Sequence, residues 1–163
     1  MYKIFLLSIL ALFSLSCRAD VAGAGKRELR SLESFQSVAD FEAYNTQLKQ
    51  SCLSNAGNST HTDCCFNESE IWNRELTIYY KKLRALLSEK EKSSLQTAQQ
   101  AWKKYRDAVT EFNSQVLANK YADKVGSMYS AMRSGEACEA MAPIIKDRTL
   151  FLKTWYEKIK LAV

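Results

Sequence analysis

The sequence predicts an all-α protein, a small antiparallel bundle of about four helices stapled by disulfides. Three observations carry that expectation. Apolar residues recur at spacings of three and four through most of the chain, and the strict alternation of a half-buried strand is absent. Turn-forming residues gather in a few short clusters, so neighbouring helices should run antiparallel. Four cysteines follow an export-like leader, an even number suited to disulfides in an oxidising compartment. At 163 residues, with 47% hydrophobic residues, five glycines and one proline, the chain suits one domain and excludes a linker-rich or disordered protein.

The N-terminus reads as a signal peptide over residues 1–19. Lys3 supplies a positive start, and Ile4 to Ser16 form an apolar run too short for a membrane span, which needs about 20 residues. Small residues follow at Cys17, Ala19, Ala22, Gly23 and Ala24. Cleavage after Ala19 or Ala24 gives a soluble exported chain. Cleavage before Cys17 makes that residue the candidate lipidation site, although Ser14 stands where lipoproteins usually carry an aliphatic side chain. Losing Lys3 and Arg18 lowers the net charge from +5 to +3. The remaining positive residues are scattered, which argues for a solvated surface and against nucleic acid. No later run is apolar enough to span a membrane, so the mature chain should be soluble or lipid-tethered.

Residues 20–33 lack any period and are expected to form a loose arm, leaving 34–163 as one helical domain. Ser34 to Gln50 should be the first helix, with Phe35, Val38, Phe41 or Ala39, and Leu48 on its apolar side. The Ser-, Asn-, Gly- and Thr-rich stretch Ser51 to Asp63 reads as a loop. A second helix from about Asn67 to Ser88 follows from Trp72, Leu76, Tyr79, Tyr80, Leu83, Leu86 and Leu87. Glu89 to Lys92 reads as a turn, with Ser94 capping the next helix. That third helix carries the clearest pattern: Leu95, Ala98, Trp102, Tyr105, Val109, Phe112 and Val116 form a stripe expected to face its neighbours. Gln99, Arg106 and Asn113 recur every seven residues beside it, half-buried, and Arg106 should find an acceptor there. Gly126-Ser127 marks a loop after Tyr121 to Val125, and Met128 to Arg133 reads as a short helical turn. A last helix from about Glu136 has Cys138, Met141, Ile145, Leu152, Trp155 and Ile159 inside. Pro143 falls within it and should kink it or mark its start.

The four cysteines are Cys52, Cys64, Cys65 and Cys138. A bridge between the vicinal pair would strain the backbone. Two pairings remain, each joining Cys52 to one of the adjacent cysteines and Cys138 to the other. Cys52, His61, Cys64 and Cys65 also resemble a metal cluster, but vicinal cysteines rarely share one tetrahedral ion. A Cys–His nucleophile would need a third group to orient the base, and nothing marks one. No carboxylate pair, Ser-His-Asp set or glycine-rich phosphate cradle is evident, so neither an enzyme nor a cofactor is expected.

The stretch from Leu95 to Ala108, with Leu95, Ala98, Gln99, Ala101, Trp102, Tyr105, Arg106, Asp107 and Ala108 in register, resembles the central signature of the LprI-type lysozyme-inhibitor N-terminal domain family. Leu76 and Tyr80 look like its preceding helix. Cys52 and Cys64 stand where its first cysteines fall, and Gly126-Ser127, Cys138, Arg148 and Leu152 are similar to its closing section. The likeness covers about residues 52–152. Thr77 and Asn73 depart from the pattern. Thr110 occupies the place of a further cysteine, whereas Cys65 is extra. The resemblance therefore implies that Cys138 has moved its bond to Cys65 and left Cys52 for Cys64.

It also implies an exported bacterial all-α domain, periplasmic or envelope-associated, from a family in which some members inhibit host lysozyme and many have no known activity. With no catalytic set in the sequence, the expected role is a non-enzymatic binding protein whose candidate partner is a lysozyme. Such an inhibitor must enter or cover a cleft holding two carboxylates. Its expected tools are the loops Ser54 to Asp63 and Lys120 to Ser127, with Lys120, Lys124 and Ser127 as candidate contacts. The net charge opposes this, because animal-type lysozymes are basic and repel a +3 domain at long range. The alternative is a structural or adaptor bundle that binds an envelope polymer, anionic lipid or another protein.

Overall fold

The computed structural model describes residues 29–55 and 61–162. Within them are a 3₁₀ turn, Leu32–Ser34, and four helices: α1 Val38–Asn55, α2 His61–Leu86, α3 Glu89–Lys120 and α4 Ser127–Lys160. No strand occurs among the described residues. The signal peptide, Cys17 and most of the expected arm lie outside them. No described helix is long and apolar enough to cross a membrane.

The helices are longer than the sequence pattern suggested. The loop expected at Ser51 to Asp63 is helical at both described ends, so both cysteines of the first staple sit on helices. The cap of α3 is Ser88 rather than Ser94. Glu91 Oε2 accepts hydrogen bonds from the Ser88 backbone N–H at 2.8 Å and its hydroxyl at 2.6 Å. The Ser-x-x-Glu spacing of a capping box was present in the sequence, and the charged run Glu89 to Lys92 masked it. At the other end, α4 is one helix from Ser127, with no break at Met128 to Glu136. Pro143 lies inside it on an exposed face, where water can solvate the position at which the backbone ladder forgoes a bond.

Side-chain contacts fix the directions. Phe41 meets Trp72 edge-on at 5.1 Å, and Lys49 pairs with Glu68 at 3.1 Å, so α1 and α2 are antiparallel. Gln99 meets Arg148 and Lys120 meets Glu136, so α3 and α4 are antiparallel too. Residues 65, 72 and 79 of α2, however, face 138, 149 and 156 of α4, which makes α2 and α4 parallel. In an up-down-up-down chain these two are diagonal. Here the diagonal is closed: α2 and α4 share the broadest contact, with α1 and α3 on its flanks.

The core follows that seam. Leu32, Phe41, Ile71, Trp72, Leu76, Tyr79, Leu83, Leu95, Ile145 and Leu152 are buried in one cluster, and each large side chain contributes roughly 1.5–3 kcal/mol. Thr149 is buried within it, its hydroxyl hydrogen shared between the carbonyls of Ile145 at 2.9 Å and Trp72 at 3.2 Å. Of the segment expected to be loose, residues 29–33 are docked. Leu32 is in the core, and Arg74 donates to the carbonyls of Leu29 at 3.1 Å and Arg30 at 2.7 Å.

The two staples enter α2 at adjacent positions. Cys52 bonds Cys64 and joins α1 to α2; Cys65 bonds Cys138 and joins α2 to α4. Consecutive helical residues point about 100° apart, which lets neighbouring cysteines reach two different helices. This is the pairing that the family resemblance implied. All four thiols are consumed, so none is available to a metal or as a nucleophile.

Candidate functional site

The position of α3 decides what the signature residues do. The stripe expected to be buried does not face the bundle as a unit. Leu95 is buried and Trp102 and Val109 are half-buried, but Ala98 is exposed, as are Tyr105 (57%), Phe112 (63%) and Val116. The inward line is instead Leu95, Gln99, Trp102, Arg106, Val109, Asn113 and Leu117. The three polar residues at seven-residue spacing therefore lie on the bundle side, and much of the apolar stripe meets solvent. Arg106 finds its acceptor on the adjacent residue, donating from Nε and Nη2 to Asp107 Oδ1 at 2.9 and 2.7 Å. Its guanidinium also lies 5.5 Å from the Trp102 ring centre.

Gln99 is the centre of the inward line. It is 8% exposed, and its Oε1 accepts hydrogen bonds from Arg148 Nε and Nη2, both at 3.0 Å. A guanidinium only donates, so this contact fixes the amide with its oxygen toward Arg148 and its NH₂ group turned away. Arg148 stands over Trp102 at 5.9 Å and over Phe151 at 5.1 Å. Among the described residues it has no carboxylate partner, and partial burial lowers its pKa. Leu76, Tyr80, Leu95, Gln99, Trp102 and Arg148 thus form one node where α2, α3 and α4 meet.

Beside this node, between α2 and α3, lies a groove of about 610 Å³. Its walls are Leu76, Thr77, Tyr80, Lys81 and Arg84 from α2, and Gln96, Gln99, Gln100 and Lys103 from α3. The cluster of cations was not anticipated from sequence. Lys81 and Arg84 are one helical turn apart, but nothing in the local pattern brings Lys103 opposite them.

The second candidate is the α3–α4 tip. Its loop is 121–126, so Lys120 ends α3 and Ser127 begins α4. Lys120 is engaged: its ammonium donates to both Glu136 oxygens at 2.8 and 2.7 Å, and the Tyr121 hydroxyl donates to Glu136 Oε1 at 2.7 Å. These donors hold the Glu136 carboxyl below the usual carboxylate range. The trio braces the base of the loop. Lys124 projects near the Tyr129 ring at 5.9 Å, and Ser127 is exposed. Val125 is 90% exposed and Met128 62%. Gly126 has φ +120°, a conformation that side chains rarely tolerate, and this turns the chain into α4. The loop candidate Ser54 to Asp63 lies partly outside the described residues.

Comparison with known families gives a match to a family described as lysozyme inhibitor LprI, over residues 52–152. The chain belongs to the LprI lysozyme-inhibitor family. Its LprI region opens at the first cysteine of the α1–α2 staple and closes at fully buried Leu152. It contains both disulfides, the Gln99–Arg148 node and the α3–α4 tip. No curated protein and no solved structure gives a significant match.

Proposed function

We propose that this LprI-family chain is a non-catalytic, exported binding protein of the cell envelope that inhibits a lysozyme by placing its α3–α4 tip in or over the sugar-binding cleft. The observation that carries this reading is the family match, which includes the tip and the helices that hold it. Several features of the tip suit the task. Val125 and Met128 offer apolar anchors, the kind of side chain that gains most when a partner desolvates it. Lys124 supplies a charge for a cleft that contains two carboxylates. Lys120 is held by Glu136, so its role is to brace the loop, and Ser127 contributes an exposed hydroxyl at the start of α4.

A cell-wall turbidity assay with animal-type, goose-type and invertebrate-type lysozymes tests the reading. Purified protein should slow lysis by at least one class, and Val125→Asp or Lys124→Glu should weaken that inhibition at least tenfold. Undiminished lysis with all three classes, at high excess and low salt, would end the proposal.

A further inference from the structure

The groove between α2 and α3 lies apart from the tip, and its chemistry is one-sided. Lys81, Arg84 and Lys103 stand on its rim, and no aspartate or glutamate lines it. Among the described residues none of the three is within 4.0 Å of a carboxylate, although eight other cations on the surface are paired in this way. At the floor, Arg148 occupies the Gln99 oxygen, so the nearly buried amide offers the groove only its NH₂ donors. Gln96 and Gln100 add further amides, while Tyr80 and Leu76 give an apolar wall. Arg84 feels the charge of Glu89 at longer range, but three cations without a carboxylate in contact still concentrate positive potential in a concave surface.

We propose that the α2–α3 groove is a binding site for an acidic saccharide of two or three sugar units. Carboxylates would meet Lys81, Arg84 and Lys103, hydroxyls would meet the glutamine amides, and a sugar face would lie on Tyr80. Size agrees: the volume of about 610 Å³ falls within the range for small-ligand sites. The lining runs from Leu76 to Arg84 on α2 and from Gln96 to Lys103 on α3, or about 10–12 Å at 1.5 Å per residue. A single phosphate would leave most of that length empty. The site is independent of lysozyme inhibition, and either can fail without the other.

Isothermal titration of the full, disulfide-bonded chain with trigalacturonate, maltotriose and inorganic phosphate tests this. Trigalacturonate should bind, should weaken as salt rises, and should lose at least tenfold in affinity in Lys81→Glu/Lys103→Glu. Lys158→Glu, an equal change of charge per site outside the groove lining, should leave affinity within twofold. Circular dichroism of the variants checks that exposed substitutions keep the fold. The proposal is overturned if millimolar trigalacturonate does not bind or if maltotriose binds equally well. It is likewise overturned if phosphate matches trigalacturonate, or if Lys158→Glu weakens binding as much as the groove variant.

Discussion

Arg74 shows how one side chain ties sequence-distant parts together. Its guanidinium donates to the Leu29 and Arg30 carbonyls, and from Nε and Nη2 to Glu75 Oε1 at 3.2 and 2.9 Å. Glu75 is fully buried, and its other oxygen has no partner among the described residues. Removing the arginine leaves a carboxylate in the core without a counter-charge, a change that typically costs 3–5 kcal/mol. Arg74 is itself partly solvated, so Arg74→Ala should lower stability by about 3 kcal/mol in urea unfolding. Arg74→Ala/Glu75→Leu should recover most of that loss. A single-variant loss under about 1 kcal/mol would mean that water already reaches Glu75. Neither residue stood out in the sequence, because a charged pair on a helix usually marks the solvent face.

At the scale of the elements, α3 separates what periodicity reveals from what it conceals. Its existence, its approximate extent and the inward positions of Leu95 and Trp102 were legible. Its rotation was not, because both faces carry apolar side chains and a narrow line of contact selects between them. Gln99 wins an inward place since Arg148 satisfies it there, while Tyr105 and Phe112 stay outside. Leu95→Ala should therefore cost about 2–5 kcal/mol, whereas Phe112→Ser should stay within about 0.5 kcal/mol. Equal losses in thermal unfolding would reverse this assignment of the faces. The disulfides were narrowed to two pairings by residue chemistry, and the family resemblance selected between them. Cys65–Cys138 spans 73 residues and Cys52–Cys64 spans 12. In the chain-entropy picture the long link is worth about 4 kcal/mol and the short one about 3. Cys65→Ser/Cys138→Ser should accordingly lower the urea midpoint more than Cys52→Ser/Cys64→Ser does.

For the whole molecule, helix number and class were readable from spacing, but the closed α2–α4 diagonal was not. Short connections dictate that successive helices alternate in direction and say nothing about which diagonal collapses. Trp72, Tyr79, Thr149 and Leu152 decide it by meeting across the seam. The net charge, +5 for the full chain and +3 without residues 1–19, acts at this scale too. Encounter with a basic lysozyme is opposed at long range, so stopped-flow association should quicken as salt rises from about 0.01 to 0.15 M and the screening length falls from about 30 to 8 Å. Slowing over that interval would show that local attraction governs approach. Three rods are riveted into a chassis, and α3 alone carries no rivet. It is joined to that chassis at its two ends and latched by Arg148 and Glu136, so α3 should be the first element to open, as a jaw that leaves the frame intact.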